Sequence, residues 1–274
     1  MKIIRPGRLG GILVTSILIL AMQAASAQEP FQLIPEARFF TGMERGSMLV
    51  SGETLIPAGG RPGSGTRVDV SSGLGVESGE SSSIIFHGLI LDNHVLSFDY
   101  LMAMPTGVKR IAQSFRFQNK SYPAGSLLET RIDFNWLSCS YGYQVLKVSS
   151  FRLAPRIGIH YVNCATTING DSEEAGVISN TRRLDGVYPV LGLESRFLMP
   201  HGIDLSMEAE GIHLITRGFL TMFKVGVTWE TYPNVAFSAG FYSRLVRYVE
   251  DNQVLNNEWT YSLTGATLGV LFGF

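Results

Sequence analysis

The closing segment Glu258–Phe274 reads as one amphipathic β-strand, and its pattern narrows the folds open to the whole chain. Thr264, Ala266, Leu268, Val270, Phe272 and Phe274 share one parity; Gly265, Thr267, Gly269 and Gly273 share the other, with Leu271 as the exception. Period-2 alternation sends the two sets to opposite faces of a strand. At the edge of a soluble sheet such an apolar strand is a template for aggregation. A closed barrel in a bilayer removes the edge: lipid covers the apolar face, the other face lines the interior, and the first strand completes the ladder.

The segments before it repeat the pattern. Asn234–Val249 sets Val235, Phe237, Ala239 and Phe241 against Ser238, Gly240, Tyr242 and Arg244. Gly218–Thr231 sets Phe219, Phe223, Val225, Val227 and Trp229 against Lys224, Gly226, Thr228 and Glu230. In Gly202–Ile212, Ile203, Leu205, Met207 and Ala209 alternate strictly with Asp204, Ser206, Glu208 and Glu210. Further strands are expected near 183–199, 150–167, 126–146, 94–104, 81–91 and 36–54. Within 126–146 the phase changes, because Ile132, Phe134 and Trp136 share one parity and Cys139, Tyr141, Tyr143 and Val145 the other. A β-bulge around Leu137 would keep both sets on the lipid side.

The links at 92–93, 147–149, 200–201 and 232–233 are tight, and those at 55–80, 105–125, 168–182 and 250–257 are longer, with 213–217 short among them. Alternating short and long links around about ten strands define an all-β, antiparallel up-and-down transmembrane barrel. Eight strands result if 81–104 does not form its pair, and twelve if 106–123 adds a hairpin. Trp229, Tyr232, Phe272 and Phe274 fall toward one end of the strands, and Trp259, Tyr261 and Tyr248 toward the other, as two interfacial girdles would.

Composition agrees with strands rather than helices. Charged residues are 16% of the chain and glycine is abundant at 30 residues. Beyond the leader, no stretch approaches the ~20 apolar residues of a membrane helix. That leader has Lys2, Arg5 and Arg8, an apolar run from Gly11 to Met22, and Ala25-Ser26-Ala27 as a small-x-small site. Residues 1–27 are therefore expected to be a cleaved signal peptide, and 28–274 a single barrel domain. Removing the three leader cations takes the net charge from −1 to −4. Neither sign dominates, so nucleic acid is not an expected partner. Cys139 and Cys164 are expected about 20 Å apart on neighbouring strands, too far to form a disulfide.

Two motifs carry resemblances. Thr267, Gly269, Phe272 and Phe274 resemble the terminal signature read by the barrel-insertion machinery of Gram-negative bacteria. The stretch Gly65-Thr66-Arg67-Val68-Asp69-Val70-Ser71-Ser72-Gly73-Leu74-Gly75 resembles a loosely defined group of proteobacterial outer-membrane β-barrel proteins. Phe117, Tyr122-Pro123-Ala124-Gly125-Ser126 and Tyr141-Gly142-Tyr143 fit the same group. The resemblance implies fold and location and brings no catalytic residue. The expected setting is a monomer in the outer membrane, with outer-membrane lipid and lipopolysaccharide around it and the insertion machinery as its partner in biogenesis. The 65–76 stretch either folds into the mouth as a plug or cap, or is an ordinary surface loop.

Chemistry, if present, lies among the charges expected to face inward: Asp99, Arg131, Asp133, Arg152, Arg156, His160, Glu194, Arg196, Asp204, Glu208, Glu210, Lys224, Glu230 and Arg244. A barrel of this size is filled by side chains, and only much larger ones hold wide water channels. The leading expectation is therefore a lumen of mutually neutralising charges in a non-enzymatic barrel, structural or binding through its loops. One alternative is a narrow channel in which Asp204, Glu208 and Glu210 face Arg152 and Arg156. Another is a rim hydrolase built on Glu208, Glu210 and His213, a carboxylate orienting a histidine for general-base work. The omptins, ten-stranded outer-membrane proteases, use acid and histidine groups at such a rim, but their paired-aspartate motif is not recognisable here. No matched Ser–His–acid set stands out, and His87, His94, His160 and His201 are dispersed. Neither a metal site nor a cofactor is expected.

Overall fold

The computed structural model describes residues 32–50, 66–76, 79–90, 93–117, 120–172, 176–214, 218–232, 235–251 and 256–272. The expected signal peptide (1–27) and Phe274 lie outside them. Ten long strands follow one another: β1 (Gln32–Val50), β2 (Gly79–Ile90), β3 (His94–Ala103), β4 (Leu127–Tyr143), β5 (Phe151–Ser172), β6 (Gly176–Met199), β7 (Ile203–Leu214), β8 (Gly218–Tyr232), β9 (Val235–Asp251) and β10 (Asn256–Phe272). Each pairs antiparallel with the next, and β10 pairs with β1 from Glu36↔Leu271 to Leu49↔Glu258, which closes the ring. Closure gives each strand of the ring a partner on both sides, as spanning lipid with strands requires. The end bearing the tight links, such as Pro200–Gly202, is called the lower end below.

Several strands run further than expected. β5 and β6 pair from Phe151↔Phe197 as far as Ser172↔Gly176, so 168–182 is strand on both arms rather than a long loop. Past Pro105, Thr106–Arg110 keeps the register of β3 against β4, with Ala103↔Phe134 followed by Thr106↔Arg131. Phe115–Phe117 and Lys120–Tyr122 form a small hairpin of their own.

The phase change in β4 is not a bulge. Pairing to β5 is continuous from Leu128 to Gly142, and burial alternates without interruption along the strand. Ile132, Phe134 and Trp136 face the interior and are buried, whereas Arg131 and Asp133 face outward and pair with each other at 2.8 Å. The expected orientation of these residues is thereby reversed. The cause is a change of medium along the barrel. Below, the outer positions Leu137, Tyr161 and Val187 lie in one cross-strand row; one outward step above, the row is Asn135, Asn163 and Asp185. Inside, the polarity switches the other way, from Ser138 and His160 below to Trp136 and Val162 above.

β10 repeats the inversion. Ala266, Leu268, Val270 and Phe272 lie on its outer face, with Thr260, Ser262 and Thr264 above them; Trp259, Tyr261 and Leu263 are buried inside, above Gly265 and Thr267. Trp259 and Tyr261 thus belong to the interior, not to an upper girdle. Trp229, Tyr232 and Phe272 are exposed at the lower end, where a girdle requires them. The lower part is a membrane barrel, apolar outside; the upper part is a soluble one, apolar inside.

The upper core is closed by the turn after the short strand Thr66–Asp69, which pairs with β1. Val70, Leu74 and Val76 are buried among Ile111, Phe117, Tyr122 and Leu128. The Asp69 carboxylate accepts a hydrogen bond from the Ser72 amide at 2.6 Å, and Gly73 N donates to Asp69 O at 2.8 Å. Gly75, at φ 69°, lets the turn reverse, and at Gly107 any Cβ would sit 2.3 Å from Gly75 O. Burial raises the pKa of the Tyr122 phenol, and its hydrogen bond from Asn180 works against that shift. This segment is a cap packed on the barrel.

Candidate functional site: a charge network across the lumen

Directly beneath Trp136, six strands contribute charges to one network. Asp99 on β3 accepts from Lys224 on β8 at 2.5 Å and from Arg244 on β9. In a ring of ten, β3 and β8 are opposite walls, so this contact crosses the lumen. Arg156 on β5 meets three carboxylates, Glu208 at 2.6 Å, Glu210 at 3.0 Å and Glu194 at 3.1 Å. Glu194 also accepts from Arg196 at 2.7 Å, Arg196 lies 3.8 Å from Asp204, and Lys224 lies 3.9 Å from Glu208. Glu208 thereby joins the two halves.

The register explains the convergence. Even-numbered residues of β5 to β9 face inward, so Arg156, Glu194, Glu208, Lys224 and Arg244 point to one axis. Buried charges persist only when paired, because their desolvation costs several kcal/mol per ion. Arg156 and Glu210 are nearly inaccessible and meet each other, while the guanidinium of Arg244 lies 5.4 Å from the Trp136 ring centre. Phe134 stacks on Tyr261 at 4.4 Å just above. Ion pairs and an aromatic plug thus fill the section in succession.

The structure brings together Asp99, Arg156, Glu194, Arg196, Asp204, Glu208, Glu210, Lys224 and Arg244 of the expected set. It leaves Arg131 and Asp133 on the outer surface and Glu230 exposed at the lower mouth. Arg152 faces Arg196 across the β5–β6 ladder, at the lower edge of the network. Cys139 is exposed on the outer face and Cys164 is buried inside; neither is in a disulfide.

Glu210 and His213 do not meet. They are three apart on a strand, hence on opposite faces, and His213 stacks outward on Phe219 at 6.3 Å. Glu210 instead lies 2.7 Å from His160 Nε2. Ser138 stands opposite His160 in the β4–β5 ladder. A serine, a histidine and a carboxylate are therefore neighbours, a grouping missed in the sequence because three separate strands supply it. All three are buried under Trp136, out of reach of an acyl substrate. Among the described residues no group of histidine, cysteine and carboxylate side chains could hold a metal ion.

No protein-family model and no curated protein matches the sequence. Solved structures do match. The outer membrane protease OmpT from Escherichia coli is similar with a TM-score of 0.59, at 10% identity, over 90% of this chain and 99% of that one. The translocator domain of the autotransporter NalP from Neisseria meningitidis reaches a TM-score of 0.43 at 11% identity, over 97% of each chain. Ail of Yersinia pestis, in complex with a heparin analogue, reaches 0.38 at 7% identity, over 88% of this chain and 99% of that one. At such identities the likeness is one of fold. The chain has the fold of the outer-membrane β-barrels of Gram-negative bacteria.

Proposed function

We propose that this is an integral outer-membrane barrel that conducts nothing and catalyses nothing in its lumen. It serves as a rigid post that holds its cap and upper wall outside the cell for structural or binding roles. Residues 1–27 would direct export and be removed, and the terminal signature ending Phe272 and Phe274 would engage the insertion machinery. Outer-membrane lipid and lipopolysaccharide would surround the apolar belt of a monomer.

The observation that carries this reading is the contact between opposite walls, Asp99 with Lys224 and Arg244, beneath the buried ring of Trp136. A channel needs a continuous water path, and here the charges that would line one neutralise each other at hydrogen-bond distance. The separation of Glu210 from His213 weighs against a rim hydrolase.

Planar-bilayer recording of refolded protein, with folding verified by a heat-shift gel, tests the proposal. A silent bilayer with proven insertion is expected. Discrete, reproducible openings whose ion selectivity changes in Glu208→Lys or Arg152→Glu would overturn it in favour of a narrow channel.

A further inference from the structure

The barrel wall is interrupted at one place. β6 and β7 pair from Met199↔Ile203 up to Leu191↔Gly211, and there their ladder stops, although β6 continues to Gly176 and β7 to Leu214. Continued in register, the next odd-numbered pair would be Pro189 with His213. The direction of the backbone groups explains the stop. Leu198 N donates to Ser150 O on the β5 side, so even-numbered residues of β6 bond toward β5 and odd-numbered ones toward β7. Proline at 189 therefore lacks the N–H that would have bonded to β7.

The side chains report the same opening. Ile212 and Leu214 have inward parity yet stay partly exposed, whereas Val190 and Leu220 on the flanking strands are 1% and 0% exposed. Tyr188 and Val190 on β6 are buried inside the barrel, and Ile212 and Leu214 pack in part against the same core. The wall thus has a cleft where the hydrogen bonding of β6 to β7 ends, with that core behind it. Its outer lips, Val187 and Leu191, are apolar and exposed, one step below the polar row at Asp185. The cleft is thus continuous with the apolar belt at its upper margin, where hydrocarbon meets headgroups.

We infer that this cleft binds a lipid of the surrounding outer leaflet. Its acyl chain lies along Leu191 and Ile212, and its polar head meets the strand edges at Pro189 and His213, beside Leu214. Backbone edges left without a ladder are costly in hydrocarbon, and a headgroup with hydrogen-bonding capacity answers that need. The inference rests on the membrane placement of the belt, which one arm of the test checks separately.

A photoreactive phenylalanine derivative is placed at Ile212, at Leu214, at outward Leu191 and at enclosed Leu220, one position per protein. Each folded variant is irradiated in phosphatidylcholine vesicles and analysed by mass spectrometry. Lipid adducts are expected at positions 212 and 191 but not at 220, and the adduct at 212 is expected to be lost in Pro189→Val, which restores the missing N–H. If the 212 variant does not fold, the 214 variant carries the same expectation. Adducts at 191 with none at 212 or 214 would overturn the cleft while leaving the membrane placement standing. Absence at 191 as well would overturn the placement itself. Cross-links to a second copy, or lipid adducts equally strong at 220, would also overturn the inference.

Discussion

Asp99 shows how position, not residue type, sets the worth of a charge in this barrel. It is the counter-charge for both Lys224 and Arg244 in a nearly inaccessible setting. Asp99→Asn keeps the shape and removes the charge that Lys224 and Arg244 share, which leaves Lys224 only the longer contact with Glu208, and should cost about 3–5 kcal/mol. A urea titration of the refolded protein followed by heat-shift gel measures this as a lowered midpoint. The Arg131–Asp133 pair has similar geometry at 2.8 Å but lies on the surface, with side-chain exposures of 54% and 35%. Asp133→Asn should cost no more than about 1 kcal/mol. Equal losses at the two sites would contradict the assignment of inside and outside. In the sequence the two aspartates look alike. Their difference follows from which medium faces each strand segment, and no local pattern carries that.

At the scale of elements, the cap is held by apolar contacts beyond a ladder of only four residues, Thr66–Asp69 on β1. Leu74 is fully buried against the upper core. Leu74→Ala should remove about 2–5 kcal/mol from cap docking. The ten-strand ring below does not depend on that contact. Limited proteolysis should therefore cut the 66–76 segment faster while the heat-shift behaviour is unchanged; loss of both would mean that the cap is integral to the barrel. Much of the element structure was legible from alternation and turn spacing, including the ten strands, the faces of β7 to β9 and that of the lower part of β10. What misled was the assumption that the apolar face is always the outer one. Ile132, Phe134 and Trp136 satisfy a period of two in either orientation, so only the neighbours Val162 and Leu184 decide it. The pairing of His160 with Glu210 was hidden for another reason, since fifty residues and two strand crossings separate them. That Glu210 and His213 would diverge was readable from their odd spacing alone.

For the whole molecule, one principle accounts for the architecture: the barrel turns its polarity inside out where it leaves the lipid. Below the boundary, apolar side chains point to the membrane and charges must find each other in the lumen. Above it, water surrounds the wall, so the lumen becomes a hydrophobic core and the outer face turns polar. The charge network and the aromatic plug meet at that boundary, with Trp136 against His160 on one side and Phe134 on the other. The outer positions of β5 give the most direct test. Spin labels placed singly at 153, 155, 157, 159, 161, 163 and 167 in bilayer-inserted protein would be scored for collision with oxygen and with a water-soluble nickel complex. Oxygen should dominate from Leu153 to Tyr161 and the nickel complex from Asn163 to Thr167, with the crossover between 161 and 163. Uniform accessibility to either reagent along the strand would contradict the account.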